Sequence, residues 1–319
     1  MSEIAPETRL WNLMRGTMSA KALGIAADLD IANALADRSL SVSELAQGNG
    51  ADPETLQRIM RALASDGVFA EEEPGVFRNT EASDLLRSNQ PGNWPAFSHL
   101  FGDVFLEAVA EMDPRTREAT FQRRYGADFW SWLADNPDQR ATFDLAMAGG
   151  KDRHADRLAA LEWRSDETVV DVGGGNGALL RALLARRPEL HGVVFDLPET
   201  VRDESDFGDR LSFVAGSFFE EVPPADAYIL SAILHDWNDE RSTEILRTIR
   251  AAAGPKSRLL IVDGVIEPGN EPNGMKWLDL LMLVIGGKER TEPEWRTLLD
   301  GGGFDVDEIE DGLIQASCR

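Results

Sequence analysis

The feature that most constrains this chain is the run Val169-Val170-Asp171-Val172 followed by Gly173-Gly174-Gly175-Asn176-Gly177 and then Ala178-Leu179-Leu180-Arg181-Ala182-Leu183-Leu184. It reads as a buried strand, a glycine turn and an apolar helix. Glycines permit positive φ and let a ligand approach the backbone where a Cβ would block it. From Glu167 onward, short apolar runs at Thr168–Val172, Gly192–Phe195, Leu211–Val214, Ala227–Leu230 and Arg258–Val262 alternate with helical stretches. Such alternation predicts a parallel sheet covered by helices, with Phe304–Glu308 and Leu313–Ser317 adding strands at one edge. In an open α/β sheet a ligand lies across the carboxyl ends of the strands, where this glycine turn sits.

The turn alone fits two ligands. Gly173, Gly175 and Ala178 also satisfy the dinucleotide pattern G-x-G-x-x-G/A, and Asp196 follows Gly177 at the distance expected of a ribose-binding acid. Asp171 favours the other ligand, a methyl donor. A carboxylate on the strand beside the loop is unwelcome near a pyrophosphate but suits the ammonium and sulfonium of S-adenosylmethionine.

The first part of the chain has a different texture. Residues roughly 8 to 70 show helical periodicity, with Ser41 and Glu44 spaced as a capping box and Asp52-Pro53 opening a helix through Leu56, Ile59, Met60 and Leu63. Val68–Ala70 and Gly75–Arg78 read as two short strands about a turn. Helix, turn, helix and hairpin make a winged helix, whose sharp reading is DNA binding. Charge argues against that reading, because residues 1–90 hold 14 acidic against 8 basic side chains within a chain of net charge −24. Nucleic-acid affinity rests on Lys and Arg displacing counterions, so a packing and dimerisation role is expected, with no nucleic-acid partner. Residues about 95 to 160 are helical and rich in aromatics, including Phe97, Phe101, Phe105, Phe121, Phe129, Trp130, Trp132 and Phe143, most of them expected in a core.

One cysteine, Cys318, excludes an internal disulfide and a Cys-rich zinc site. The opening residues lack the basic and apolar segments of a signal peptide, and Leu278–Ile285 is too short to span a bilayer. A cytoplasmic setting without membrane contact is the expectation.

The segments Val170-Asp171-Val172-Gly173-Gly174-Gly175, Phe195-Asp196-Leu197-Pro198, Leu234-His235-Asp236-Trp237 and Gly286-Gly287-Lys288-Glu289-Arg290-Thr291 occur in that order. On them the chain resembles, over essentially its whole length, the small-molecule O-methyltransferases that include the plant caffeate and flavonoid enzymes and bacterial antibiotic-pathway relatives. The resemblance implies an α/β fold: a Rossmann-like methyltransferase domain at 161–319, a helical middle at 101–160 contributing to the substrate pocket, and an N-terminal, mainly helical winged-helix dimerisation domain at 1–100. It implies S-adenosylmethionine as cofactor, S-adenosylhomocysteine as product, no metal, a homodimer, and a small aromatic hydroxylated substrate.

The resemblance also assigns residues. His235 matches the catalytic base, with Asp263 and Glu289 orienting its imidazole; Asp263 stands where the plant enzymes carry the longer Glu. Asp171, Gly173, Gly175, Asp196, Leu197, Ser217, Phe218, Ser231 and Trp237 match cofactor contacts, with Ser217 standing where plant enzymes have Asp and Ser231 where they have Lys. Phe143, Met147 and Met282 match the substrate pocket. The base suits the chemistry: a phenol of pKa near 10 costs roughly 4 kcal/mol to ionise at neutral pH, and an imidazole near 6.5 can accept its proton. His99, His154 and His191 lack such a setting and are expected at the surface or in packing. Readings that remain open are methylation of nitrogen, a decarboxylase or hydroxylase on the same fold, a NAD-dependent oxidoreductase, and a winged-helix regulator.

Overall fold

A computed structural model describes residues 5–88, 90–147, 151–198, 200 and 208–319. The chain divides into two compact units, Met1–Thr116 with Phe121–Gly149, and Arg117–Thr120 with Gly150–Arg319. The segment set apart by sequence as a helical middle is thus shared between the two, most of it belonging to the first.

In the first unit, helices Pro6–Met14, Gly16–Asp28, Ile31–Ala34, Val42–Asn49 and Pro53–Ser65 precede a hairpin of strands β2 (Phe69–Glu73) and β3 (Val76–Asn79). A two-residue strand β1 (Leu40–Ser41), absent from the sequence reading, pairs with β3, giving the antiparallel order β1-β3-β2. The local signals act as expected. Ser41 Oγ accepts from Glu44 N while Glu44 Oε2 accepts from Ser41 N at 2.8 Å, and Asp52 caps the next helix by accepting from Thr55 N at 2.8 Å. Ile31, Leu45, Leu56, Met60, Phe69 and Phe77 form the core of this part. Of the eight aromatics expected in a core, Phe105, Phe121 and Phe129 are buried, Phe101 is exposed and the rest are half-buried. Each short helix here has only one face turned inward, which leaves the remaining rings at its margins.

The second unit is built on a seven-stranded sheet. Strands β4 (Thr168–Val172), β5 (His191–Asp196), β6 (Leu211–Ala215), β7 (Ala227–Ser231), β8 (Arg258–Val262), β9 (Phe304–Glu310) and β10 (Leu313–Cys318) are ordered β6-β5-β4-β7-β8-β10-β9. The first five are parallel; β10 runs antiparallel to β8, and β9 closes the edge. Both sheet faces are covered, which is why the strands read as near-continuous apolar runs. Val170, Val172, Tyr228, Leu230, Leu259 and Ile261 point to one face, under helices Asp239–Ala252 and Glu292–Gly302. Val169, Ile229, Leu260 and Val262 alternate to the other face, under Ala178–Arg186 and Lys151–Ala159. No helix among the described residues is long and apolar enough to cross a membrane.

Candidate active site

The parallel strands deliver the polar residues to one edge. After β4 the chain enters the glycine turn, where Gly173, Gly175 and Gly177 all have positive φ. A side chain at Gly173 would strike Ile233 Cδ1 at 2.5 Å, so the turn and the segment after β7 are fitted to each other. Asp196, at the end of β5, ties the turn down: its Oδ2 accepts from Gly175 N at 2.8 Å and its Oδ1 from Leu197 N at 2.7 Å. Asp171 lies beneath the turn, 2% exposed, and its Oδ2 has no hydrogen-bond partner among the described residues. Burial raises its carboxyl to a pKa of about 7, against the lowering field of Lys151. A buried, unpartnered acceptor beside a glycine turn fits a ligand that brings a cation.

The next strand end carries the histidine. Beyond β7, Ala232 takes a left-handed conformation and Leu234–Asp236 form one 3₁₀ turn. His235 stands in that turn, its side chain 14% exposed. Its Nδ1 lies 2.8 Å from Glu289 Oε1 and 3.2 Å from Asp263 Oδ1. The shorter Asp263 therefore reaches the ring, and its Oδ2 also accepts from the His235 backbone N at 3.3 Å. On the other side of the ring, Nε2 is 3.5 Å from Asp236 Oδ1. The sequence reading did not assign Asp236 a role.

These carboxylates change the imidazole. Burial alone lowers its pKa, but Asp263, Asp236 and Glu289 outweigh it and hold His235 at about 10. This corrects the expected value near 6.5: three buried acids favour the imidazolium, which the sequence could not count. Asp236 is itself raised to about 7 by burial, despite the opposing pull of His235, and Asp263 is raised for the same reason. Among the described residues, His235, Asp263 and Glu289 are also the group spaced as metal ligands are. Their geometry fits a hydrogen-bonded triad better, since the 2.8 Å contact already occupies Nδ1, the nitrogen facing both acids.

The segment Gly286–Thr291 explains how Glu289 arrives. Gly286 ends helix Gly274–Ile285 in a left-handed cap. Gly287 then packs so closely on the backbone of His235 and Asp236 that any Cβ would overlap it, and Lys288 N donates to His235 O at 2.8 Å. Arg290 is fully buried and donates to the carbonyls of Leu234 (2.9 Å), Trp237 (2.9 Å) and Lys288 (3.2 Å), with Asp239 Oδ1 at 2.9 Å from its Nε. It locks the histidine turn to the glutamate segment. Sequence reasoning quoted Arg290 in a motif without seeing this, because its partners are mostly backbone carbonyls.

Other expected residues divide. Phe218 lies 3.7 Å from the Cβ position of Gly173, and with Phe219 it stacks edge-on against Trp237, so these rings border the turn and the core together. Ser217 Oγ accepts from Phe219 N at 3.3 Å, and Leu197 is exposed. Ser231, buried at the end of β7, has its Oγ 3.3 Å from His154 Nδ1. His154 thus has a polar partner it was not expected to have, and burial with Lys151 nearby lowers it to about 4. His99 is likewise partnered, by Asp28 at 2.8 Å and Gln139 at 3.2 Å, while His191 is exposed. Met282 is buried within the second unit; in the first, Phe143 packs edge-on against Phe129 and Trp130, and Met147 is exposed.

Residues 101–305 match the O-methyltransferase domain, and residues 11–89 match the O-methyltransferase dimerisation domain. The phenazine O-methyltransferase PhzM of Lysobacter antibioticus is 39% identical over 311 residues, covering 94% of this chain and 91% of its own. The O-demethylpuromycin-O-methyltransferase of Streptomyces alboniger is 37% identical, covering 95% and 85%. Among solved structures, NcsB1 of neocarzinostatin biosynthesis, in complex with S-adenosylhomocysteine and 1,4-dihydroxy-2-naphthoic acid, superposes with TM-score 0.82 at 32% identity over 94% of this chain and 96% of its own. By its sequence and its fold alike, this chain belongs to the O-methyltransferase family.

Proposed function

We propose that the protein is an S-adenosylmethionine-dependent O-methyltransferase that methylates an aromatic hydroxyl of a small specialised metabolite, with His235 as general base. The observation that carries this reading is the imidazole held at Nδ1 by Glu289 and Asp263. That contact fixes the ring and leaves Nε2, beside Asp236, as the nitrogen for a substrate hydroxyl. The phenazine named for one relative and the dihydroxynaphthoic acid bound by another support an aromatic acceptor. The dimerisation-domain match supports a homodimer through the N-terminal unit.

S-adenosylmethionine, when bound, supplies the methyl group as a good electrophile on sulfur. The residues that would hold it are the glycine turn, Asp171 beneath it, and Asp196 at the end of β5, with Leu197, Ser217, Phe218, Ser231 and Trp237 around them. Proton movement belongs to this chain. As the acceptor oxygen attacks, its proton passes to His235 Nε2, and the positive ring is stabilised by Asp263, Glu289 and Asp236. The acids that hold the imidazole above its ordinary value also favour the imidazolium that forms as the proton arrives.

The test is a methyl-transfer screen of phenols and aromatic polyketides with product mass measured, alongside calorimetry with S-adenosylhomocysteine and NAD. Mass gain of one methyl on oxygen and binding of S-adenosylhomocysteine are expected. Transfer confined to amines, or binding of NAD alone, would contradict the proposal.

A further inference from the structure

Helix Gly274–Ile285 is apolar from Trp277 to Ile285 except at Asp279, the one charged side chain in that run. Asp279 is half-buried, so its carboxylate loses part of its hydration and needs a partner. The partner is a backbone amide: Oδ1 accepts from Glu289 N at 2.9 Å. Burial raises the Asp279 carboxyl, and the N–H of Glu289 opposes that rise. The charges of Glu289 and Glu294 add to the rise, and Lys288, 2.8 Å from Glu294, counters it.

The Glu289 amide is the exception in its segment. Gly286 N and Gly287 N both donate to Met282 O, at 2.9 and 2.7 Å, and Lys288 N donates to His235 O at 2.8 Å. Those acceptors are main-chain carbonyls, which every sequence supplies. Glu289 N, alone of the four, is held by a side chain. The acid it belongs to has little else to aim it. Its Oε1 meets His235 Nδ1 at 2.8 Å, while its Oε2 has no hydrogen-bond partner among the described residues. Where that carboxylate stands therefore depends on where the main chain sets it, and a small displacement would open the contact with the ring. We propose that Asp279 is a positioning residue for the proton transfer: by holding Glu289 N, it places the carboxylate that fixes the His235 ring. It acts through Glu289, ten positions along the chain, rather than on the ring itself. This rests on His235 being the general base.

Single-turnover methyl transfer to an accepted phenol, with calorimetry of S-adenosylhomocysteine on the same full-length protein, separates this role from a structural one. Asp279→Ala should slow transfer about tenfold or more, while S-adenosylhomocysteine affinity stays within about threefold. Asp279→Asn keeps an acceptor oxygen at the same reach and should recover most of the loss. In a Glu289→Ala background, Asp279→Ala should add no more than about threefold, because the group it places is gone. A full further loss in that background would overturn the proposal, as would an Asn variant as slow as Ala. Affinity falling in step with rate would mark a folding residue and overturn it too. Should Asp279→Ala fail to fold, Asp279→Glu, which keeps the charge and displaces the oxygen, is read in its place. The ring also reports without turnover. The Nδ1–H proton of His235, identified by its absence in His235→Ala, should move upfield in Asp279→Ala and keep its position in Asp279→Asn. An unshifted proton in Asp279→Ala overturns the proposal whatever the rate. A shifted proton with the parent rate would instead contradict the general-base reading, since Glu289 would have moved without consequence for transfer.

Discussion

The two units differ in where they leave apolar surface. The second encloses a seven-stranded sheet between helices, with Val169, Val170, Ile229, Leu260 and Ile261 fully buried. The first opens with helix Pro6–Met14, which buries no residue, and it exposes Leu10, Trp11, Leu13, Met14 and Met18 along consecutive turns. A nine-residue helix is marginal alone in water, so its order and its apolar face both call for a covering surface. The second unit exposes a smaller apolar stripe on one helix, Trp277, Leu280 and Leu283. Burial in the second unit serves a different end: it strips water from acids grouped at one sheet edge, and their charge then dominates the histidine.

The contrast is open to attack by mutation. Ile229→Ala should cost about 2–5 kcal/mol in urea unfolding, because it opens a cavity between sheet and helix. Leu13→Ala, at an exposed site, should change protomer stability by no more than about 0.5 kcal/mol. Comparable losses at the two sites would mean that the first unit is packed like the second. If this exposed face is the dimer surface, Trp11→Ala should weaken the dimer by about tenfold or more in sedimentation, the effect of removing an aromatic anchor. An unchanged dimer would place the interface elsewhere.

The electrostatic half of the contrast has a defined sign. Glu289 raises the His235 pKa both by hydrogen bond and by charge, so Glu289→Gln should move the pH–rate midpoint of kcat/KM downward by about one unit or more. A midpoint that stays in place would detach Glu289 from the ring. In stability the linkage runs the same way. Because the folded imidazole sits above its ordinary value, the stabilisation it contributes is full below about pH 6.5 and is lost as pH rises through about 10. The smallest effect expected is at the Ser41 cap, where Ser41→Ala should cost about 1 kcal/mol, read as a shift in the unfolding midpoint.

Much of this was legible in the sequence because the signals were local. The caps at Ser41 and Asp52 depend on spacings of three residues, and the strands of the large sheet depend on short apolar runs. The glycine turn carries its own backbone demand. Family motifs pointed to His235, Asp263 and Glu289, which the fold brings within hydrogen-bond reach although Glu289 lies 54 residues from His235. What stayed hidden depends on three-dimensional neighbours with no periodic trace. The His154–Ser231 contact joins residues 77 apart, and Arg290 works through carbonyls that every sequence possesses. The basicity of His235 follows from how deeply three acids are buried around it, a property of packing rather than of motif.

The most direct test of the central claim is His235→Ala measured two ways on one sample: S-adenosylhomocysteine affinity by calorimetry and single-turnover methyl transfer to an accepted phenol. Cofactor-product affinity within about threefold of the parent, together with a 10²- to 10⁴-fold slower transfer (roughly the span of general-base catalysis), is the expected result. Transfer near the parent rate would contradict the account, and the buried acids around His235 would then need another purpose.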